Sequence, residues 1–262
     1  MKFIKFALMS IKFNWNSQLA NPANLFMGFV GMAINNTFFM MGLYAIIFGG
    51  KPQNQHAYPY FLAATTISFF SWGFVYFFFG GLRNIPTLID NGAFEQFLGT
   101  PKSPLVLASL TEFEPSGLAD MIQGILCMVL GAYLYGFSFG FKLACASIIS
   151  VFGVLSLLIF AAAISFFVRR GADLAVVIVH STLSMSVYPV GIIFTGLIKS
   201  LLYLTPAAIV TLLPVDAAIT GQWYDFIFAL FLALIFLGFS ILFFNLGRKK
   251  YVSSNFVSIK GS

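Results

Sequence analysis

The sequence predicts an all-α polytopic membrane protein with six transmembrane helices, and three observations carry that prediction. The chain is too oily for a soluble domain. Of its 262 residues, 60% are hydrophobic and 8% charged, and its mean hydropathy is +0.94, whereas soluble domains carry about 25% charged residues. It contains six long charge-free runs. Its lysines and arginines segregate to alternate connections between those runs.

The runs are residues 26–48, 58–82, 121–141, 143–168, 174–198 and 226–247, which are 23, 25, 21, 26, 25 and 22 residues long. Each reaches the roughly 20 residues that a spanning helix needs. They place spans at about 26–48, 58–82, 117–137, 143–168, 174–198 and 224–247 within one membrane domain, 1–262. A seventh apolar run, 200–215, has 16 residues and contains Pro206 and Pro214. It is too short and too broken for a span and reads as an outer re-entrant or surface hairpin before span six. Tyr188-Pro189 ends or kinks span five, and Trp223 and Tyr224 mark an interface at the start of span six.

Residues 1–21 interleave Lys2, Lys5 and Lys12 with Phe3, Ile4, Phe6, Leu8, Ile11, Phe13 and Trp15. They lack the separate apolar core and small-residue cleavage site of a signal peptide. The expectation is an amphipathic helix lying in the membrane interface.

With the N-terminus inside, the inner segments hold Lys2, Lys5, Lys12, Arg83, Lys102, Arg169, Arg170, Arg248, Lys249, Lys250 and Lys260. The outer segments hold Lys51, Lys142 and Lys199, which completes the 14. This bias puts both termini in the cytoplasm, and it accounts for the net charge of +6 without nucleic acid. Cys127 and Cys145 sit in apolar runs and read as small core residues rather than a disulfide.

Residues 83–104 stand out. They carry Arg83, Asp90, Glu95 and Lys102 among turn formers. Ile85, Leu88 and Ile89 fall at helical spacing, Asn91-Gly92 breaks the pattern, Phe94, Phe97 and Leu98 resume it, and Gly99, Pro101 and Pro104 end it. One or two short amphipathic helices on a cytoplasmic loop follow, between spans two and three. Such a loop is either a connector on the lipid surface or a docking element for a soluble partner.

The missing chemistry is informative too. There is no GxxxxGK[ST] phosphate loop, no CxxC, no HExxH and no cluster of carboxylates, so no catalytic residue, metal site or cofactor is assigned. His56 falls in the first outer loop and His180 in span five, where it reads as a packing histidine. Asp120 and Asp173 fall near span ends. An ion-driven carrier needs a buried ionisable group, and the run centres hold no Asp, Glu, Lys or Arg. Energy is therefore expected to enter from outside the chain. Mild polar groups do occur in the spans: Asn35, Asn36 and Thr37; Thr65, Thr66, Ser68 and Ser71 with Trp72; and Ser181, Thr182, Ser184 and Ser186. They serve either as interhelical hydrogen bonds, worth about 0.6 kcal/mol each, or as the lining of a path for a hydrophobic or amphipathic substrate. Asn35, Asn36, Ser71, Trp72 and Tyr188 are the candidates for such a path, since adjacent amides in lipid need partners or water.

Two motifs carry a resemblance. The first is LIDNGAFEQFLGTPKSPL at 88–105. The second is the order Tyr188-Pro189, Leu204-Thr205-Pro206, Leu213-Pro214 and the ending GRKKYVSS at 247–254. Together they resemble the ABC-2 type permease subunits of ABC exporters, in particular the bacterial branch of daunorubicin- and viologen-type multidrug export permeases. The chain departs from that pattern at Gly99-Thr100, where a basic residue is frequent, and at Phe94 and Phe97, where Leu is frequent. The resemblance implies an efflux permease of the bacterial cytoplasmic membrane. Two permease chains, identical or paralogous, would form the pathway, and separate ATPase subunits would bind ATP and Mg. Residues 83–104 would be the coupling helix, with Leu88, Ile89, Asp90, Gly92, Phe94, Glu95, Phe97, Leu98 and Pro101 meeting the ATPase. The competing expectations are an ion-coupled secondary transporter using His180 or Asp173, and a membrane assembly subunit without transport.

Overall fold

The structure, a computed structural model, describes residues 2–49, 57–100, 102–194 and 196–251. Lys51, His56, Pro101 and the ending after Tyr251 therefore lie outside the described residues. Every regular element within them is helical: α1 (Lys2–Ala20), α2 (Pro22–Phe48), α3 (Ala57–Phe79), α4 (Ile85–Asp90), α5 (Glu95–Leu98), α6 (Pro104–Ser109), α7 (Pro115–Tyr135), α8 (Phe137–Ile164), α9 (Gly171–Val187), α10 (Val190–Ile193), α11 (Gly196–Leu202), α12 (Leu213–Thr220) and α13 (Trp223–Lys250). A 3₁₀ turn, Gly80–Arg83, joins α3 to α4, and a π turn, Ala208–Leu212, leads into α12.

Among the described residues five segments are long and apolar enough to cross a membrane: α2, the continuous stretch Ala57–Asp90, α7, α8 and α13. The fifth expected span, 174–198, is interrupted after Val187, because Pro189 cannot donate the next backbone hydrogen bond, and it resumes only as the short α10 and α11. The remaining α9 has 17 residues, about 25 Å of helix at 1.5 Å per residue.

The centre of the bundle is α3, enclosed by α7, α8, α9 and α12. Its contact with α7 is a backbone-to-backbone crossing. Gly117, Gly124 and Gly131 recur every seventh residue on one face of α7, and the first two lie against α3. A Cβ on Gly124 would fall 2.5 Å from the Phe70 nitrogen, and one on Gly73 of α3 would fall 2.4 Å from the Met121 nitrogen. Without side chains between them the helices gain dispersion contact that lipid cannot supply. Buried hydroxyls hold the remaining contacts. The Ser71 hydroxyl is bonded to that of Ser150 on α8, 2.9 Å away, and Ser150 reaches the Val210 carbonyl of the π turn. Lone Gly136, with φ +89°, reverses the chain between α7 and α8.

The stretch rich in proline before α13 is broken as its residues foretell. Pro206 follows the end of α11 and Pro214 starts α12. The π turn directly before Pro214 widens the helix where an α-turn would clash with the proline ring. Its Val210 and Leu212 are buried, and Tyr203 donates to Asp216, tying α11 to α12. Cys127 is buried, and both cysteines are free thiols.

Candidate functional site

Two places gather the residues singled out in the sequence: a set of loops around residues 83–114 at one end of the bundle and a cavity among the spans.

These loops begin where α3 runs on through the 3₁₀ turn into α4, so the segment Ala57–Asp90 is almost one rod. Asn91-Gly92 ends α4 with Gly92 at φ +80°. The Asn91 side chain caps this turn by accepting from the Ala93 N–H at 3.0 Å. Helix α5 follows, then α6, which the apolar pattern alone did not separate. The loop is closed at its base. Arg83 Nη1 reaches both carboxylate oxygens of Glu114, at 2.8 and 2.9 Å, and its guanidinium lies 5.4 Å from the Tyr76 ring centre. Asn84 donates to Glu112. Neither glutamate was singled out in the sequence, because their partners stand about 30 residues earlier. Helix α1 is bound to the same loop: Asn14 Nδ2 donates to the Leu110 carbonyl at 2.9 Å, and Gln18 Nε2 to the Phe113 carbonyl at 3.0 Å.

The residues expected to meet a partner divide into two sets. Phe94 is fully buried, with its ring edge-on to Phe166, Phe244 and Tyr251. Ile89 is buried in the same cluster, and Leu88 and Phe97 pack against it. The expectation that Phe94 seats in another protein's groove is therefore corrected: its ring fills this chain's own core. Leu98 is 38% exposed and Glu95 is half-buried. Asp90 is exposed and accepts from the Ala172 N–H at 2.9 Å, which binds the loop to the start of α9.

Within the spans, Asn35, Asn36, Trp72 and Tyr188 line one cavity of about 180 Å³, together with Phe39, Ser68, Phe69 and Asp120 among others. Of the candidate path residues only Ser71 stays outside it, buried against α8. The walls are specific. Trp72 Nε1 donates to the Ser186 hydroxyl at 3.0 Å, and Ser68 Oγ donates to the Ser186 carbonyl at 2.6 Å, locking α3 to α9. The rings of Phe39 and Tyr188 meet edge to face, 6.2 Å between centres. Asp120, 5% exposed, accepts from Asn36 Nδ2. Asp120 stands near the start of its span, as expected, but its carboxylate turns into the bundle. It faces α3 and α2 about 9 Å inside α7 from Glu114, at 1.5 Å per residue. The signal was available: Pro115 marks a helix start, which places Asp120 beyond the first turn. His180 is exposed on α9 rather than packed, and among the described residues it has no hydrogen bond. Among the described residues no cluster of His, Cys, Asp and Glu suits a metal ion.

A family model described as ABC-2 family transporter protein matches residues 33–255. The chain belongs to the ABC-2 transporter family. The match covers nearly all of the cavity lining, the loops around residues 83–114 and α13. No curated protein and no solved structure matches the chain. The ABC-2 chain is thus the transmembrane, non-catalytic component of a transporter, and membership of the family implies ATPase partner subunits.

Proposed function

We propose that this chain is the permease subunit of an ATP-binding cassette exporter of the cell membrane, with six spans and both termini in the cytoplasm. Two such chains form the pathway, and separate subunits that bind ATP and Mg drive it. The observation that carries the reading is mechanical. The docking loop and the cavity wall are two ends of one rod. From Ile89 to Trp72 is 17 residues of nearly continuous helix, about 25 Å. The loop end is anchored to the α8–α9 turn, α9 and α13 through Phe94 and Asp90. A partner pressing on the exposed edge around Leu98 therefore displaces packed elements rather than a floppy loop. Displacement of Trp72 and Ser68 relative to Ser186 opens or closes the cavity, the kind of discrete helix shift by which packed cores switch.

The cavity fits an amphipathic molecule with a cationic head. Its aromatic walls bury apolar surface, and Asp120 offers the charge. Purifying the tagged chain from its native membrane tests the scheme. A P-loop ATPase is expected to co-purify with the wild type, and Leu98→Asp is expected to abolish that association while leaving the chain folded. Undiminished co-purification of the variant refutes the docking assignment.

Asp120 supports a second reading, an ion-coupled carrier, since a buried carboxylate among spans is the group such carriers need. Vesicles containing the chain alone decide between them. Uptake driven by a proton gradient and lost in Asp120→Asn favours the carrier; dependence on ATP and the partner favours the exporter.

A further inference from the structure

At the inner end of the bundle, a cavity of about 420 Å³ opens between the α4 end, the turn from α8 to α9 and the last turn of α13. It is lined by Ile89, Asp90, Ser165, Phe166, Arg169, Arg170, Lys250 and Tyr251. Three cations face one carboxylate, and that carboxylate is engaged by the Ala172 N–H. Two further polar atoms lack a use. Ser165, 5% exposed, has its hydroxyl buried without a hydrogen-bond partner among the described residues, and so has the Tyr251 hydroxyl. A buried hydroxyl left unpaired costs about 1–3 kcal/mol, so two in one basic cavity point to an occupant with acceptor oxygens. The backbone is shaped for this place. Arg170 holds a left-handed conformation, φ +57° and ψ +42°, one that L-residues other than Asn and Asp seldom adopt. Gly171 lets α9 start directly over Ser165, because a Cβ there would fall 2.3 Å from the Ser165 Cα. The positive end of the 17-residue α9 lies at the same spot.

We infer that this cavity binds the phosphate of an anionic phospholipid from the inner leaflet. Arg169, Arg170 and Lys250 neutralise the phosphate, and Ser165 and Tyr251 donate to its oxygens. The surroundings favour a lipid over a soluble phosphate. Phe167 and Val168, directly before the two arginines, and Leu246, one turn before Lys250, are exposed apolar side chains. They offer acyl chains a surface beside the polar head. Basic pockets between spans on the cytoplasmic side are the places where such headgroups lodge. The bound phosphate would cross-link the α4 end, the α8–α9 turn and α13, stiffening the root of the loop that carries Leu98.

The experiment uses the full chain in nanodiscs of phosphatidylcholine with or without phosphatidylglycerol, reading retained lipid by native mass spectrometry and unfolding by thermal melting. Wild type should retain phosphatidylglycerol preferentially and melt higher in its presence. Arg169→Gln and Lys250→Gln should each lower that retention about fivefold. Arg248→Gln, on the same helix end but outside the cavity, should leave it unchanged. Ser165→Ala separates binding from a structural role. In pure phosphatidylcholine it should melt at or above the wild type, since it deletes an unpaired hydroxyl, yet it should gain less from phosphatidylglycerol. Equal retention in wild type, R169Q and K250Q overturns the site. Inorganic phosphate raising the melting point in pure phosphatidylcholine discs, without any preference for phosphatidylglycerol, overturns the lipid as its source.

Discussion

Two spanning segments of equal hydropathy, α2 and the rod Ala57–Asp90, meet opposite fates: 78% of the rod's most apolar window is buried and only 11% of that of α2. Hydropathy registers the cost of keeping apolar surface in water, which lipid and protein interior relieve alike, so it finds spans and is blind to which of them a bundle encloses. The enclosed helix is distinguished by small and hydroxyl-bearing residues spread along its length, Ala63, Ala64, Thr65, Thr66, Ser68, Ser71 and Gly73. These let backbones approach and offer bonds to neighbours. The peripheral helix gathers the polar residues of its middle into Asn35, Asn36 and Thr37 and shows Phe26, Met27, Ile34, Phe38, Met41 and Ile46 outward. Only the Asn36 side of α2 is committed to the bundle.

The sharpest way to break this contrast is to add bulk at a glycine on each side of it. Gly124→Leu, facing the α3 backbone at 2.5 Å, cannot be accommodated by a side-chain rotation. It should cost about 3 kcal/mol or more and abolish the monodisperse peak in size-exclusion chromatography. Gly31→Leu on α2, with open space around the new Cβ, should elute as the wild type. Equal behaviour of the two variants would mean that α3 and α7 do not cross at backbone distance.

A smaller effect is expected where α2 does join the bundle. Asp120→Ala leaves the Asn36 amide without its acceptor, and stranding a buried polar group costs about 1–3 kcal/mol. Thermal melting should fall, and Asn36→Leu added to Asp120→Ala should recover much of the loss, because neither member of the pair is then stranded. A double mutant that melts at the sum of the two single losses would show that Asn36 and Asp120 act independently.

These contrasts also show what was legible in the residues alone. Chain breaks were, because they are local: Asn91-Gly92 ends α4, Pro189 limits α9, and Pro206 and Pro214 fragment the outer stretch. The residues of the cavity were largely legible as well, since Asn35, Asn36, Trp72 and Tyr188 are polar or bulky in otherwise featureless runs. Two things were not. An amphipathic pattern reveals which side of a short helix is apolar but not what covers it, so Phe94 looked like a docking residue although its own chain buries it. A position near a span end does not reveal which way a side chain turns, so the bond of Asp120 to Asn36 across α7 and α2 went unread. The pairing of Arg83 with Glu114 required knowing that the loop closes on itself.

That pairing sets the next prediction in size. Arg83 and Glu114 are 44% and 33% exposed, so solvent screens the charge, and the contact is worth about 0.5–1 kcal/mol even with the Tyr76 ring beneath the guanidinium. Arg83→Gln should lower the melting temperature slightly at low salt. The difference should shrink as salt rises, because screening weakens exposed pairs first. A deficit independent of salt would mean that Arg83 holds the loop by packing of its stem rather than by charge.

The smallest effect tests whether α2 is peripheral in the assembled transporter as well as in the single chain. Phe38 is 70% exposed. If lipid covers it, Phe38→Leu exchanges one apolar contact with acyl chains for another and should shift stability by less than about 0.5 kcal/mol. If a second permease chain covers it, the same change removes an aromatic anchor from a packed interface, where truncations commonly cost more than about 1 kcal/mol, and the dimer should dissociate at higher protein concentration. Comparing monomer stability with the dimer dissociation constant for this one variant separates the two surroundings. An unchanged monomer with a weakened dimer would make α2 a face of the pathway rather than its outer wall, and would bring the cavity at Asn36 and Asp120 to the junction of two chains.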